Sequence, residues 1–266
     1  MDDGKIGGRR LRQKVLGLLK VGDPETSLRE LSRSEPRAVV NALISLFYSP
    51  EEIIRWRAIT AAGAVVTILA EKDREGARVI VRRLLWSLND ESGGIGWGAP
   101  EALAEIMARD ELLAEEYSRI FVSYLDEKGN FLEHEGLQQG LLWGLARLAG
   151  VRPDLIKEAV PHLGRYLESG NAAVRGLAAR AAGLLGAQEL RPRVRTLLKD
   201  EAALVLFEKG RMITCRVSDM ARETLAALDM LTDPARARKR EAPGPLVMKT
   251  CCQPAASFGS AKNHRG

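Results

Sequence analysis

The side chains of this chain best suited to chemistry lie between Asn89 and Glu101. There Gly93, Gly94, Gly96 and Gly98 precede Pro100, and Trp97 stands four residues before Glu101. Four-residue spacing on a helix puts two side chains on one face. An indole beside a carboxylate is therefore expected, a pair suited to a cationic or planar group. The glycines allow close approach of the backbone to a ligand. The alternative is a tight turn between helices, with Trp97 packed in the seam. The pattern is not that of a phosphate loop, since no strand precedes it and no Gly-Lys-Ser/Thr follows.

Other reactive types are scattered. His134 lies between Glu133 and Glu135, with His162 and His264 far away in sequence. A metal site needs three or more convergent ligands, so no metal is expected and His134 reads as a surface or helix-start residue. The three cysteines do not suggest a disulfide framework. Cys215 reads as buried packing, and Cys251-Cys252 as a pair in an unstructured tail. No Ser or Cys stands in a nucleophile-elbow sequence. No catalytic residue and no cofactor is assigned.

The elements that must position these residues are helical. Aromatics make up 5% of the 266 residues, apolar types 45% and charged types 28%, with Ala, Leu, Arg and Glu dominant, a mixture that favours helix. Five segments share a small-residue helical pattern, beginning near Trp56, Trp97, Gln138, Val174 and Val217. Their second residues, 57, 98, 139, 175 and 218, are 41, 41, 36 and 43 apart. An amphipathic stretch precedes each, as in Val39–Phe47, Val79–Leu88, Tyr117–Leu125 and Ile156–Leu167, which gives two helices per unit. Stacked units of this length bury a continuous core that no single unit could form. Asn171 is expected to cap the second helix of the fourth unit, after a stop at Ser169-Gly170.

The chain resembles the HEAT-repeat family, including the subgroup named after phycobilisome-lyase-type HEAT repeats. Val174–Gly186, with its Val-Arg-x-x-Ala-Ala-x-x-Leu-Gly style, carries that resemblance. Leu85–Ile106 is also similar to uncharacterised HEAT-repeat proteins of anaerobic, sulfate-reducing bacteria. The fold implied is an all-α superhelix, a HEAT/armadillo-like solenoid of about five helical hairpins. Its cap helices fall within residues 1–35, its solenoid in 36–232 and a disordered basic tail in 233–266. Leu204–Phe207 and Met212–Val217 flank Glu208-Lys209-Gly210-Arg211 and predict a β-hairpin inside the last unit. Iron hydroxylases of HEAT type use paired His-Glu dipeptides, whereas this chain has one.

Charge is uneven along the chain. The tail carries +5, the first 20 residues +4 and residues 21–232 −4. A body that follows phosphates needs a basic face, so nucleic acid is not the expected partner. No apolar run is expected to span a bilayer and no export signal is seen, which places the chain in the cytoplasm. In a solenoid the second helices line the concave face. Arg55, Trp56, Trp97, Glu101, Glu133, Glu135 and Trp143 are the contacts expected there for a protein partner, the tryptophans being otherwise ordinary core. The alternative is an enzyme on the same scaffold. The subgroup name implies a bilin lyase. The tryptophan-and-acid set is similar to that of HEAT-like DNA glycosylases.

Overall fold

The computed structural model describes residues 8–21, 23–89, 96–232 and 253–254. Helices α1 (Gly8–Val21) and α2 (Pro24–Leu31) stand at the N-terminal end. Five helical hairpins follow. They are α3 (Pro36–Ile44) with α4 (Glu52–Lys72), α5 (Arg74–Leu88) with α6 (Ala99–Arg109), and α7 (Glu111–Ser123) with α8 (Glu135–Ala149). Next come α9 (Val160–Tyr166), entered through a 3-10 stretch at Pro153–Ala159, with α10 (Ala172–Leu185), then α11 (Arg191–Thr196) with α12 (Val217–Thr232). The chain is an α-solenoid, with α4, α6, α8, α10 and α12 side by side in that order.

Local sequence explains the helix starts. Asn171 Oδ1 accepts from the backbone N–H groups of Ala173 and Val174, which satisfies donors a helix leaves unpaired. Asp73 and Asp110 do the same for α5 and α7. Each of these cap carboxylates also receives an arginine from the preceding unit, Arg37 on Asp73 and Arg74 on Asp110. The tyrosines repeat the device. The Tyr124 hydroxyl donates to the Leu85 carbonyl and the Tyr166 hydroxyl to that of Leu125, both at 3.3 Å. The second, third and fourth units are thus each tied to their predecessor by one or both of these contacts, as nearest-neighbour stacking requires.

Small residues set the spacing of the second helices. A Cβ on Gly63 of α4 would lie 2.7 Å from Glu105 Cβ and 3.1 Å from the Glu105 backbone carbon of α6. Gly63→Ala is therefore expected to push these helices apart. Overpacking costs about 1–3 kcal/mol, against which the better helix propensity of Ala returns at most about 1 kcal/mol. Urea unfolding should show a net loss of about 1–2 kcal/mol; a gain would mean that the helices are not held at this distance.

The predicted β-hairpin is present between α11 and α12. Strand β1 (Ala203–Glu208) pairs antiparallel with β2 (Arg211–Arg216), with Leu206 opposite Ile213. Lys209 and Gly210 both have positive φ, 49° and 81°, the two-residue turn whose twist suits paired strands. Gln253–Pro254 adds a short strand β3 to β2; the rest of the tail assigned to disorder lies outside the described residues. Cys215, expected to be packing alone, is buried and disulfide-bonded, and the other two cysteines, Cys251 and Cys252, lie outside the described residues.

Two further expectations are corrected. Helix α4 is long and apolar enough, by length and composition, to cross a membrane; here its apolar residues pack against α3, α5 and α6. Trp97 does not share a helical face with Glu101. It sits in a turn before α6, which starts at Ala99 because Gly98 (φ 75°) takes the left-handed conformation that breaks the helix on its N-terminal side.

Candidate functional site

The second helices present residues to a common groove at three- or four-residue steps, the spacings that keep one face. From α4 come Trp56 and Thr60; from α6, Glu101, Glu105 and Arg109; from α8, Gln139, Trp143 and Arg147; from α10, Leu177 and Arg180. The β1–β2 hairpin lies over this groove. Phe207 stacks on Trp56, ring centroids 5.1 Å apart and planes 4° from parallel. Trp143 lies 4.7 Å from Trp56 at 51°, and its indole Nε1–H donates to the Phe207 carbonyl at 3.1 Å. Arg180 grips both carboxyl oxygens of Glu208. The hairpin thus divides the groove into cavities of about 390 and 300 Å³ and a smaller cleft of about 120 Å³.

The small cleft is bounded by Glu52, Arg55, Trp56, Trp97, Glu101, Gln139 and Trp143, with Val205 and Leu206 of the hairpin. Five of the seven residues expected at the concave face meet there. Glu133 lines a separate cavity with Asn89, His134 and Leu137. Glu135 is exposed in the first turn of α8. Trp86, on a first helix, is 76% exposed. His134 caps α8 through Nδ1, which accepts from the Gly136 N–H, and meets Trp97 edge-on at 4.9 Å. Gly93 and Gly94 of the glycine-rich turn lie outside the described residues.

Glu101 is the chemically unusual group. Part of its side chain is accessible, yet Oε2 is sealed from solvent with no hydrogen-bond partner. Gly140 of α8 makes room for it, since a Cβ there would stand 2.6 Å from the Glu101 carboxyl carbon. Burial pushes its pKa up to about 7, with its own backbone N–H and, more weakly, Arg55 across the cleft acting in the opposite sense. Arg55 itself is engaged with Glu52 at 3.2 Å. Trp56 Nε1 and Thr60 Oγ1 on the neighbouring helix are also buried without partners. Buried polar atoms in native proteins are nearly always paired, so unpaired donors and acceptors along one groove make it the candidate site.

The adjoining wall is the opposite, a satisfied network. Glu105, almost fully buried, accepts from Arg109 Nε at 3.1 Å and Arg147 Nε at 2.8 Å. Sequence reasoning did not single out Glu105, Arg109, Arg147, Arg180 or Phe207. The signal that would have found the first three is the four-residue register itself, continued from Glu101 along α6 and from Gln139 along α8. Among the described residues, no group of three or more His, Cys, Asp or Glu is placed to hold a metal.

No family model matches the chain. An uncharacterised protein of Archaeoglobus fulgidus is 29% identical over 179 residues, which span 67% of this chain and 91% of that protein. Among solved structures, a designed armadillo repeat protein in complex with the peptide (KR)4 is 18% identical with a TM-score of 0.46, over 82% of this chain and 99% of that one. A second, described as computationally designed for modular peptide recognition, is 18% identical with a TM-score of 0.42, over the same shares. An engineered protein is 19% identical with a TM-score of 0.45, over 82% and 96%.

Proposed function

We propose that this protein is a non-catalytic, HEAT-type repeat scaffold that holds a protein partner at the inner face of its solenoid. The observation that carries this reading is the cleft of Trp56, Trp97, Trp143 and Glu101, where aromatic anchors surround unpaired polar atoms. Buried aromatics in a concave pocket are favoured hot spots for protein partners. Because the hairpin covers the centre of the groove, the partner enters beside it with a side chain or short segment. It does not lie as a strand along the whole face.

Phage display of random peptides tests this. The wild-type protein should enrich peptides whose affinity falls at least about tenfold in a Trp97→Ala/Glu101→Gln variant that keeps its helical circular dichroism. No enrichment, or equal binding by the folded variant, would refute the proposal.

A second reading, an enzyme acting on alkylated DNA bases, draws on the convergence of Trp97 and Glu101 with Trp56 and Trp143. It requires arginines free to meet phosphates, whereas Arg55, Arg109, Arg147 and Arg180 are each held by a glutamate. Steeply salt-dependent duplex binding would move weight to it.

A further inference from the structure

We propose that the larger cavity beside the hairpin, about 390 Å³, binds a small organic acid whose carboxylate is gripped between Arg109 and Arg147. The proposal goes beyond the peptide-binding reading and concerns a different cavity from the Glu101 cleft. Arg109 on α6 and Arg147 on α8 both reach Glu105, each through its Nε–H, at 3.1 and 2.8 Å. A guanidinium has five N–H donors. The remaining donors of both arginines meet no acceptor among the described residues. The network therefore satisfies Glu105 and leaves the outer edges of its two arginines open. Those edges are reachable, since the two side chains are 35% and 31% exposed and both line the cavity. Glu105 is almost fully buried and fixes the inner edge of each fork. A fork already fixed loses little freedom when a ligand arrives.

The charges on this wall do not balance. Arg109, Arg147, Arg180 and Lys209 stand against Glu105 and Glu208. Arg180 and Glu208 form a bidentate pair and cancel. Two arginines on one glutamate leave one positive charge, which a single carboxylate neutralises. Lys209, exposed at the hairpin turn, adds a second at the rim. In the adjoining cavity Arg57 and Asp23 offset each other. Glu101, one turn along α6, opens into the small cleft instead. A planar carboxylate matches guanidinium edges through paired, parallel hydrogen bonds. Around the arginines, Trp143, Ala146, Leu177, Leu184 and Leu206 form an apolar wall, which suits an apolar body on the ligand. Sites for small molecules have this volume and this composition, an apolar lining with a few placed charges. A cavity of this size under the hairpin does not admit a nucleic-acid duplex.

The probes are 3-phenylpropionate, its neutral amide, phenyl phosphate and the capped tripeptide Ala-Glu-Ala. Binding to the full chain is followed by calorimetry and by the indole N–H signals of the labelled protein. The acid should bind at least about tenfold more tightly than the amide, which brings no charge to the arginines. It should shift Trp143, which lines this cavity, and leave Trp97 and Trp86 in place. Arg109→Gln and Arg147→Gln should each weaken it by about tenfold or more. Equal binding of acid and amide would make the cavity a plain apolar pocket, and this comparison in the wild-type protein overturns the proposal whether or not the variants fold. No binding of the acid up to about 10 mM would mean that the open arginine edges are only hydrated. Tighter binding of phenyl phosphate would overturn the carboxylate, and tighter binding of Ala-Glu-Ala would move it from a small acid to a partner protein. A shift of Trp97 in place of Trp143 would put the acid in the Glu101 cleft, against the proposal.

Discussion

Replacing Glu101 with Gln is expected to stabilise the protein above neutral pH and to leave it unchanged near pH 4.5. The folded-state pKa of about 7 lies above the 4.5 usual for a glutamate. Between those values the native state binds more protons than the unfolded state, so stability falls as pH rises. Below about pH 4.5 both states are protonated and the group contributes nothing. Above about pH 7 the ionised, sealed carboxylate exerts its full cost. A shift of this size corresponds to about 3 kcal/mol, reduced to about 2–3 kcal/mol because part of the side chain reaches solvent. Glutamine keeps the shape beside Gly140 and removes the charge. Urea unfolding of both proteins at pH 5 and pH 8 should show the variant ahead by about 2 kcal/mol or more at pH 8 and much closer to wild type at pH 5. An equal difference at both values would mean that Glu101 titrates normally. Proteins carry such costs where function requires them.

Phe207→Ala should release the hairpin from the groove. The ring is 7% exposed and stacked flat on Trp56, and truncating a buried Phe to Ala costs about 3–5 kcal/mol. The hairpin keeps two other anchors, Trp143 on the Phe207 carbonyl and Arg180 on Glu208, so the lower end, about 3 kcal/mol, is expected. The readout has two parts. The urea midpoint should fall, and Trp56, now buried at 7% exposure, should become wetter and shift its emission to the red. A loss below about 1 kcal/mol with unchanged emission, the scale of an ordinary surface substitution, would mean that Phe207 does not hold the hairpin over the groove.

Local patterns made much of the fold legible. The 41-residue steps, the Asn171 cap and the Lys209-Gly210 turn are short-range signals, and each reappears as a helix pair, a capped helix start or a tight hairpin. Trp97 was misplaced because the pattern continues smoothly through Gly98, and only the positive φ at that glycine reveals where α6 begins. The meeting of Arg55, Trp56, Glu101 and Trp143 followed from giving second helices the inner face, whereas Trp97 joins them from the turn before α6. Their partners were not legible. The Phe207 stack joins residues 151 positions apart, and the Glu105 pair with Arg147 spans 42. Such contacts depend on the rotation between repeats, which no single helix encodes. Glu133 fell outside the cleft because it precedes α8, where the chain is still turning away from the groove.

The most direct test uses the four tryptophans themselves. Their indole N–H groups give four signals in a nitrogen–proton spectrum of the labelled protein, to be followed while a display-selected peptide is added. Binding at the inner face predicts shifts for Trp56, Trp97 and Trp143 and none for Trp86, which is exposed on a first helix. Shifts confined to Trp86, or saturating binding that moves none of the other three, would contradict an inner-face site.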